Sequence, residues 1–379
     1  MTDPVLFEER AAGAGRRIGI ATLNAPRALN ALSLPMIDAL QARLAAWAAD
    51  PAVALVVLQG EGDRALCAGA DLHALYREMR AHPAARTADG GFGAPYSRAF
   101  FEREYRLDYF LHTYPKPLLC WGHGIVMGGG IGLMVGASHR VVTEQSRLAM
   151  PEVSIGLFPD VGASWFLNRM PGKAGLLLGL TGAQLGAADA LFVGWADYCI
   201  GHDRKEDMLA ALAQQPWSGA RRADDALLDA LLKRLQGAEL PAPGPLRRNL
   251  DRVNALCSGA TLPAIVDALR HGSHGDPWLD GAVATMTAGA PSTVRLAYEL
   301  QRRARHLSLA DVFKLEFSVA TLCTARPDLA EGIRALLIDK DRRPAWQPAT
   351  LEAADEAWAD AFFAEASLAD GAHPMADLG

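Results

Sequence analysis

Three consecutive glycines, Gly128, Gly129 and Gly130, close the apolar run 121–127, and two carboxylates follow at Glu152, in Met150-Pro151-Glu152, and Asp160, in Phe158-Pro159-Asp160. A glycine backbone has no side chain to hold a ligand off, so its amide N–H groups can approach an oxygen closely. If folding brings these amides and carboxylates together, they can stabilise a developing oxyanion and move protons or activate water. A second donor is offered by Leu66-Cys67-Ala68-Gly69-Ala70-Asp71-Leu72, where small residues pass into a helix that begins near Asp71. Helix N-termini present unpaired N–H groups and a partial positive charge, which suits a thioester carbonyl.

Each of these residues also has a plain structural reading. Glycine triplets mark tight turns, Glu152 after Pro151 fits a first helical turn, and Asp160 after Pro159 can cap a helix over 161–169. Asp71 fits a cap as well. Glu104, in Phe100-Phe101-Glu102-Arg103-Glu104-Tyr105, lies in a charged helical stretch whose default is a solvated face. His123 and His139 are general-base candidates, although lone histidines more often serve structure. No G-x-S-x-G elbow, phosphate-binding G-x-x-x-x-G-K-[ST] loop or H-E-x-x-H pair occurs. Gly122-His123-Gly124 starts like a dinucleotide fingerprint, but Met127 occupies the place of its third glycine.

The elements that must position these groups alternate. Strands are expected over 5–9 and 17–23 with a hairpin-like connection at 12–15, then a loop over 24–33 and a helix over 34–49. A buried strand over 55–60, a helix over 71–80, a helix over 96–113 and a strand over 117–122 follow. The Gly/Ala-rich segment 84–95 reads either as a lid or as filler. This alternation argues for an α/β unit, and periodicity alone does not separate a doubly wound sheet from other windings. Beyond residue 172 the pattern turns helical, with an expected helical extension over 204–290 and two long helices, from 291 to 305 and from 308 to 324.

Composition bounds the function. The chain has 379 residues, 50% of them hydrophobic and 21% charged, and a net charge of −6, which disfavours a nucleic-acid partner. The five cysteines (Cys67, Cys120, Cys199, Cys257, Cys323) are scattered, with no CxxC pair, so neither a disulfide framework nor a zinc site is expected and a reducing cytoplasm fits. Acidic residues Asp3, Glu8 and Glu9 and the lack of a long apolar run argue against a targeting segment or a membrane span.

The segments CAGADL, GHGIVMGGGIGLMVGASHRVVTEQSRLAMPE and IGLFPDVGASWFLNRM, in this order and spacing, resemble the crotonase superfamily. EGIRALLIDKD and PAW near the other end resemble its 3-hydroxyisobutyryl-CoA hydrolase branch. The resemblance implies an α/β fold, with a crotonase-like ββα spiral core over 1–203 and a helical C-terminal region over 204–379. It implies hydrolysis of an acyl-CoA thioester in valine breakdown, with enoyl-CoA hydratase/isomerase activity or a non-catalytic CoA-ester-binding role as alternatives. It places an oxyanion hole on the amides of Ala70 and Gly129, and catalytic roles on Glu152 and Asp160. Glu152 acts either as nucleophile or as general base, and Asp160 orients a 3-hydroxyl or relays a proton. Substrate contacts are implied at Glu104, Ala28, Ala68, Asp71, Leu72 and Gly128.

Hydratases of the superfamily carry a second glutamate where this chain has Gly132, and the hydrolase branch has glycine there. Two departures stand out. Ala70 occupies a position where the branch often has glycine, and Ala163 one where a further glycine is common. Arg27, in the PxxxNAL-like loop, reads as a phosphate contact or a solvated arginine, and Lys340 as a phosphate contact or a surface ion pair. No metal and no separate cofactor are implied, because coenzyme A is part of the substrate. The resemblance implies a trimer or a hexamer, with a monomer as the alternative.

Overall fold

In a computed structural model of the chain, residues 3–82, 92–236, 241–367 and 373–379 are described. Most of the proposed lid segment therefore lies outside the described residues. The strands are β1 (Val5–Ala11), β2 (Arg17–Leu23), β3 (Val53–Gly60), β4 (Ala65–Cys67), β5 (Leu118–Gly122), β6 (Ile125–Met127), β7 (His139–Val142), β8 (Arg147–Ala149) and β9 (Tyr198–Cys199). Contacts divide the chain into two units, each assembled from three stretches of sequence.

The first unit comprises Met1–Ala70, Leu107–Leu148 and Leu185–Arg247. Its larger sheet has six strands in the order β1-β2-β3-β5-β7-β9. β1 and β2 form an antiparallel hairpin, and the remaining neighbours are parallel. A smaller sheet has the order β4-β6-β8. The chain thus repeats one device. β3 is followed by β4, β5 by β6 and β7 by β8, the first of each pair joining the large sheet and the second the small one. Helix Leu72–Ala81 follows the first pair, and helix Gly129–Val135 the second. A doubly wound sheet is excluded, because each of these turns lays down two strands in two different sheets.

Strand alternation explains how the large sheet is covered. Ile18, Ile20, Leu55 and Val57 point to one face and pack with Met208, Leu209, Leu212, Leu228, Leu231 and Leu232. These leucines lie on helices Lys205–Ala213 and Arg221–Gln236. Part of the expected helical extension is therefore the roof of the sheet. On the opposite face, a Cβ at Gly19 would sit 2.7 Å from the Trp47 ring, so the strand leaves room there for the indole of helix Leu34–Ala49.

The second unit comprises Asp71–Arg106, Ala149–Gln184 and Arg248–Gly379, and is almost wholly helical. Its centre is helix Leu309–Ala325, where Val312, Phe313, Phe317, Val319, Ala320 and Leu322 are fully buried. Arg106 grips Asp377 with two bonds of 2.8 and 2.9 Å and the Pro374 carbonyl with a third. Arg334 pairs with Glu331, Asp339 and Asp341, so the ion pairs of the IDKD segment run through Arg334 and not through the exposed Lys340.

The expected helix over 161–169 is broken up. Val161 and Gly162 adopt left-handed backbone angles (φ 52° and 86°), so the helix begins only at Ala163 and passes into a tight turn at Leu167–Arg169.

Candidate active site

In the first unit, β4 and β6 run parallel, with Ala65 opposite Ile125 and Cys67 opposite Val126. Both strands end in glycine turns. Gly69 (φ 99°) and Gly128 (φ 52°) occupy conformations that L side chains rarely adopt. A Cβ added to Gly69 would lie 3.2 Å from the Met127 carbonyl and 3.7 Å from the amide nitrogen of Gly129. The two turns therefore lie backbone against backbone. Among the described residues, no acceptor is bonded to the N–H of Ala70 or of Gly129. Adjacent parallel strands thus deliver two uncommitted amides from neighbouring turns.

The loop beside these turns is pinned by Asn30, which is buried. Its side-chain oxygen accepts the amide of Ala25, and its nitrogen donates to the carbonyls of Ala65 and Glu61. The Ala68 amide donates to the Leu29 carbonyl and the Leu32 amide to that of Gly69, at 3.0 and 2.7 Å. Ala28 and Arg27 are exposed on this loop, with Arg27 on the short turn Pro26–Ala28. Sequence reading assigned the segment without its lynchpin, Asn30. Its signal was an asparagine at a positive φ (55°), where a short polar side chain can bond the nearby backbone.

In the second unit, four buried acids lie close enough to feel the charge of Asp160 or to carry it: Glu104 (2% exposed), Glu152 (5%), Asp160 (5%) and Glu316 (0%). Glu152 sits on the short turn Glu152–Ser154, whose preceding residue is Pro151. Glu104 lies within helix Pro95–His112, on its buried face and not on a solvated one. Oε1 of Glu104 and Oε2 of Glu152 have no hydrogen-bond partner among the described residues. Desolvation pushes both carboxyls well above the ordinary range, and the charge of Asp160 adds to it.

Asp160 is treated differently. It accepts a hydrogen bond of 2.7 Å from the Tyr105 hydroxyl, which offsets part of its burial and leaves it at about 6. Its side chain makes no cap for the helix that follows; that helix is preceded by Gly162 with no side-chain cap of its own. Glu316 supplies the acceptors from helix Leu309–Ala325, taking the amides of Gly162 at 2.7 Å and Ser164 at 2.8 Å, while burial lifts its carboxyl to about 8.

The environment thus separates titrations within one group of acids. The Tyr105 hydroxyl favours the ionised form of Asp160, while burial and the neighbouring charge push Glu152 and Glu104 upward. Pairs of carboxyls pushed apart in this way are the arrangement acid–base chemistry needs. Val161, β-branched and left-handed, carries strain of about 1–3 kcal/mol, a cost that recurs where a neighbouring side chain must be aimed.

Sequence reading missed Tyr105 and Glu316. Tyr105 had no signal beyond its place beside Glu104. Glu316 had one: it lies three residues after Phe313 and four before Ala320, on the apolar stripe of its helix.

Asp71 accepts the amide of Ala74 at 3.1 Å and is the cap of helix Leu72–Ala81, on which Leu72 is the first residue. His123 is bonded to the Gly62 carbonyl at 2.7 Å, and His139 stands between Ser138 and Asp229. None of the five cysteines is in a disulfide. Among the described residues, no group of three or more His, Cys, Asp or Glu could hold a metal ion, and no helix is long and apolar enough to cross a membrane.

The sequence profile of the enoyl-CoA hydratase/isomerase family matches residues 18–363. The 3-hydroxyisobutyryl-CoA hydrolase, mitochondrial, of Xenopus tropicalis is 34% identical over 93% of this chain and 88% of that protein. The 3-hydroxyisobutyryl-CoA hydrolase 1 of Arabidopsis thaliana is 35% identical over 95% of this chain and 91% of its own length. Among solved structures, a carnitinyl-CoA dehydratase from Mycobacterium thermoresistibile is 37% identical and superimposes with a TM-score of 0.82, covering 98% of each chain. An enoyl-CoA hydratase from Rhodobacter sphaeroides is 33% identical, with a TM-score of 0.79 over 95% of this chain and 97% of that one. The repeated strand–strand–helix winding is accordingly the crotonase ββα spiral, and the chain belongs to the enoyl-CoA hydratase/isomerase family.

Proposed function

We propose that this chain hydrolyses 3-hydroxyisobutyryl-CoA to 3-hydroxyisobutyrate and coenzyme A. The observation that carries the reading is the acid set itself. Glu152 is buried with an unpartnered oxygen and is accompanied by Asp160, while Gly132 stands where a hydratase would place its second glutamate. The names of the relatives that align over most of their length point the same way.

In this mechanism the amides of Ala70 and Gly129 polarise the thioester carbonyl, each worth ~3 kcal/mol of barrier. Glu152 gives up its proton within the acid cluster and then acts in one of two ways. As a nucleophile it attacks the carbonyl carbon, the C–S bond breaks, and water cleaves the resulting anhydride. As a base it takes a proton from the water that attacks the same carbon. Either way one water is consumed, its oxygen ends on the acid, and the CoA sulfur leaves with a proton. Asp160 orients the 3-hydroxyl or relays that proton, and Glu104 lines the acyl end. Coenzyme A arrives and leaves with the substrate, so no resident cofactor takes part. A reducing compartment, the cytoplasm, suits five cysteines outside any disulfide.

Hydratase or isomerase activity is the second reading, favoured by the two solved structures at 37% and 33% identity that are described as a dehydratase and a hydratase. Thiol release from 3-hydroxyisobutyryl-CoA, measured beside crotonyl-CoA, separates them. Rapid release that collapses in Glu152→Ala and Asp160→Ala supports the hydrolase. Consumption of the enoyl chromophore without thiol release establishes the hydratase. Binding of the ester with neither reaction marks a non-catalytic binding protein.

A further inference from the structure

We infer that Tyr105 and Glu316 are positioning residues that together hold the Asp160 carboxylate, one gripping its side chain and the other the backbone that follows it. The inference rests on the hydrolase reading, in which Asp160 takes part in the reaction.

Three observations converge on one short turn. The Tyr105 hydroxyl donates to Oδ2 of Asp160 at 2.7 Å. The Tyr105 ring cannot swing away, because Phe101 and Phe313 pack against it with ring centres 5.8 Å apart in each case. On the other side, the two oxygens of Glu316 take the amides of Gly162 and Ser164. The first of these bonds falls on the second member of the positive-φ pair Val161–Gly162 that immediately follows Asp160, and the other on the residue two places beyond it.

Helix Leu309–Ala325 supplies both halves of the support. Phe313 lies against the Tyr105 ring and crowds Gly162, where an added Cβ would stand 3.1 Å from its ring at a backbone angle that L side chains rarely adopt. Glu316, one turn further on, ties down the amides. A left-handed valine relaxes unless its surroundings hold it. Here the carboxyl group of Glu316 is the holding group, and the direction of the Asp160 side chain is what it preserves.

The charged and titratable groups facing Asp160 are few. Helix Pro95–His112 contributes Glu104 and Tyr105, the 152–154 turn contributes Glu152, and helix Leu309–Ala325 contributes Glu316 and Cys323. Among the described residues no cation perturbs Asp160, so the Tyr105 hydroxyl is the side-chain group that favours its ionised form. Loss of that hydroxyl must raise the pH at which Asp160 ionises, a result that a merely structural tyrosine would not produce.

The test uses the full chain with 3-hydroxyisobutyryl-CoA, reading kcat, KM, the pH dependence of kcat/KM and the melting temperature. Variants are Tyr105→Phe, Glu316→Gln, Asp160→Asn and the two pairings with Asp160→Asn. Tyr105→Phe is expected to lower kcat about tenfold with little change in KM, and to move the acidic limb of the profile up by about one pH unit. Glu316→Gln is expected to lower kcat at unchanged KM. In the Asp160→Asn background neither change costs further rate, because there is no longer a carboxylate to hold. An unmoved acidic limb in Tyr105→Phe, or losses that add in full to that of Asp160→Asn, overturns the inference while leaving Asp160 in the reaction. Full activity in Asp160→Asn alone overturns the reading beneath it. If Glu316→Gln melts early, Tyr105→Phe still decides, since it keeps the ring and removes only the hydroxyl.

Discussion

Gly130→Ala tests the oxyanion hole without touching a donor. Both proposed donors are backbone amides, so no side-chain deletion can remove them, but their spacing can be disturbed. A methyl at Gly130 would run into the carbonyl of Cys67 and come within 3.0 Å of that residue's Cβ. Neither side yields readily. The Cys67 end of β4 is paired with β6, and its beginning at Ala65 is tied by Asn30. Relief requires the two turns to part by roughly 1 Å, a misplacement that costs on the order of 100-fold in rate. The overpacking itself costs ~1–3 kcal/mol of stability, a loss of a few degrees in melting temperature. Thiol release followed with a chromogenic disulfide should show kcat lowered about 100-fold and KM changed by less than about threefold, as expected for donors that act on developing charge. Gly186→Ala is the control, because its backbone is extended and nothing lies within 4 Å of the added Cβ. A Gly130→Ala protein with kcat within about twofold of the parent and an unchanged melting temperature would refute the assignment of these amides.

Glu152→Gln keeps the shape and removes the group that can release and take a proton, and should lower thiol release by at least ~100-fold while leaving ester binding measurable by calorimetry. The pH dependence has a definite sign. Asp160 and Glu316 titrate higher in the folded chain (about 6 and about 8) than their ordinary values of 3.8 and 4.5, so the folded state binds more protons between those limits. Their contribution to stability is complete below the ordinary values and is lost as pH rises through 6 and 8. Melting temperature should therefore fall between pH 5 and pH 9 by less in Glu316→Gln than in the parent, and equal slopes would count against it. Asp377→Ala removes a paired but exposed carboxylate from Arg106 and should leave the denaturant midpoint almost where it was, with kcat unchanged.

Much of the glycine-turn geometry was legible in the residues, because glycine at a positive φ or at a close backbone approach leaves a mark in sequence. Gly69 and Gly128 are the examples. Glu152 and Asp160 were legible through motif and spacing, but not their unequal titration, which depends on a tyrosine from one helix and a glutamate from another. Those partners are separated from Asp160 by 55 and about 156 residues, and no local pattern encodes such a contact. The helix over 161–169 was overextended for a related reason. Local propensity favours it, yet tertiary bonds from Glu316 hold Val161 and Gly162 left-handed. The strand winding was illegible because β4, β6 and β8 are only three residues long, too short for alternation to show.

The parallel pairing of β4 with β6 sets how freely this protein can change. Neighbouring strands in any sheet stand about 4.8 Å apart, a spacing fixed by the peptide hydrogen bond and not by side chains. The two turns that carry Ala70 and Gly129 inherit that spacing from the strands they terminate. Side chains carried on the turns, that of Ala70 among them, take no part in this pairing. Substitution on the turns therefore leaves the spacing of the two amides alone, whereas a side chain forced between the strands, as at Gly130 against the Cys67 carbonyl, is the kind of change that moves them.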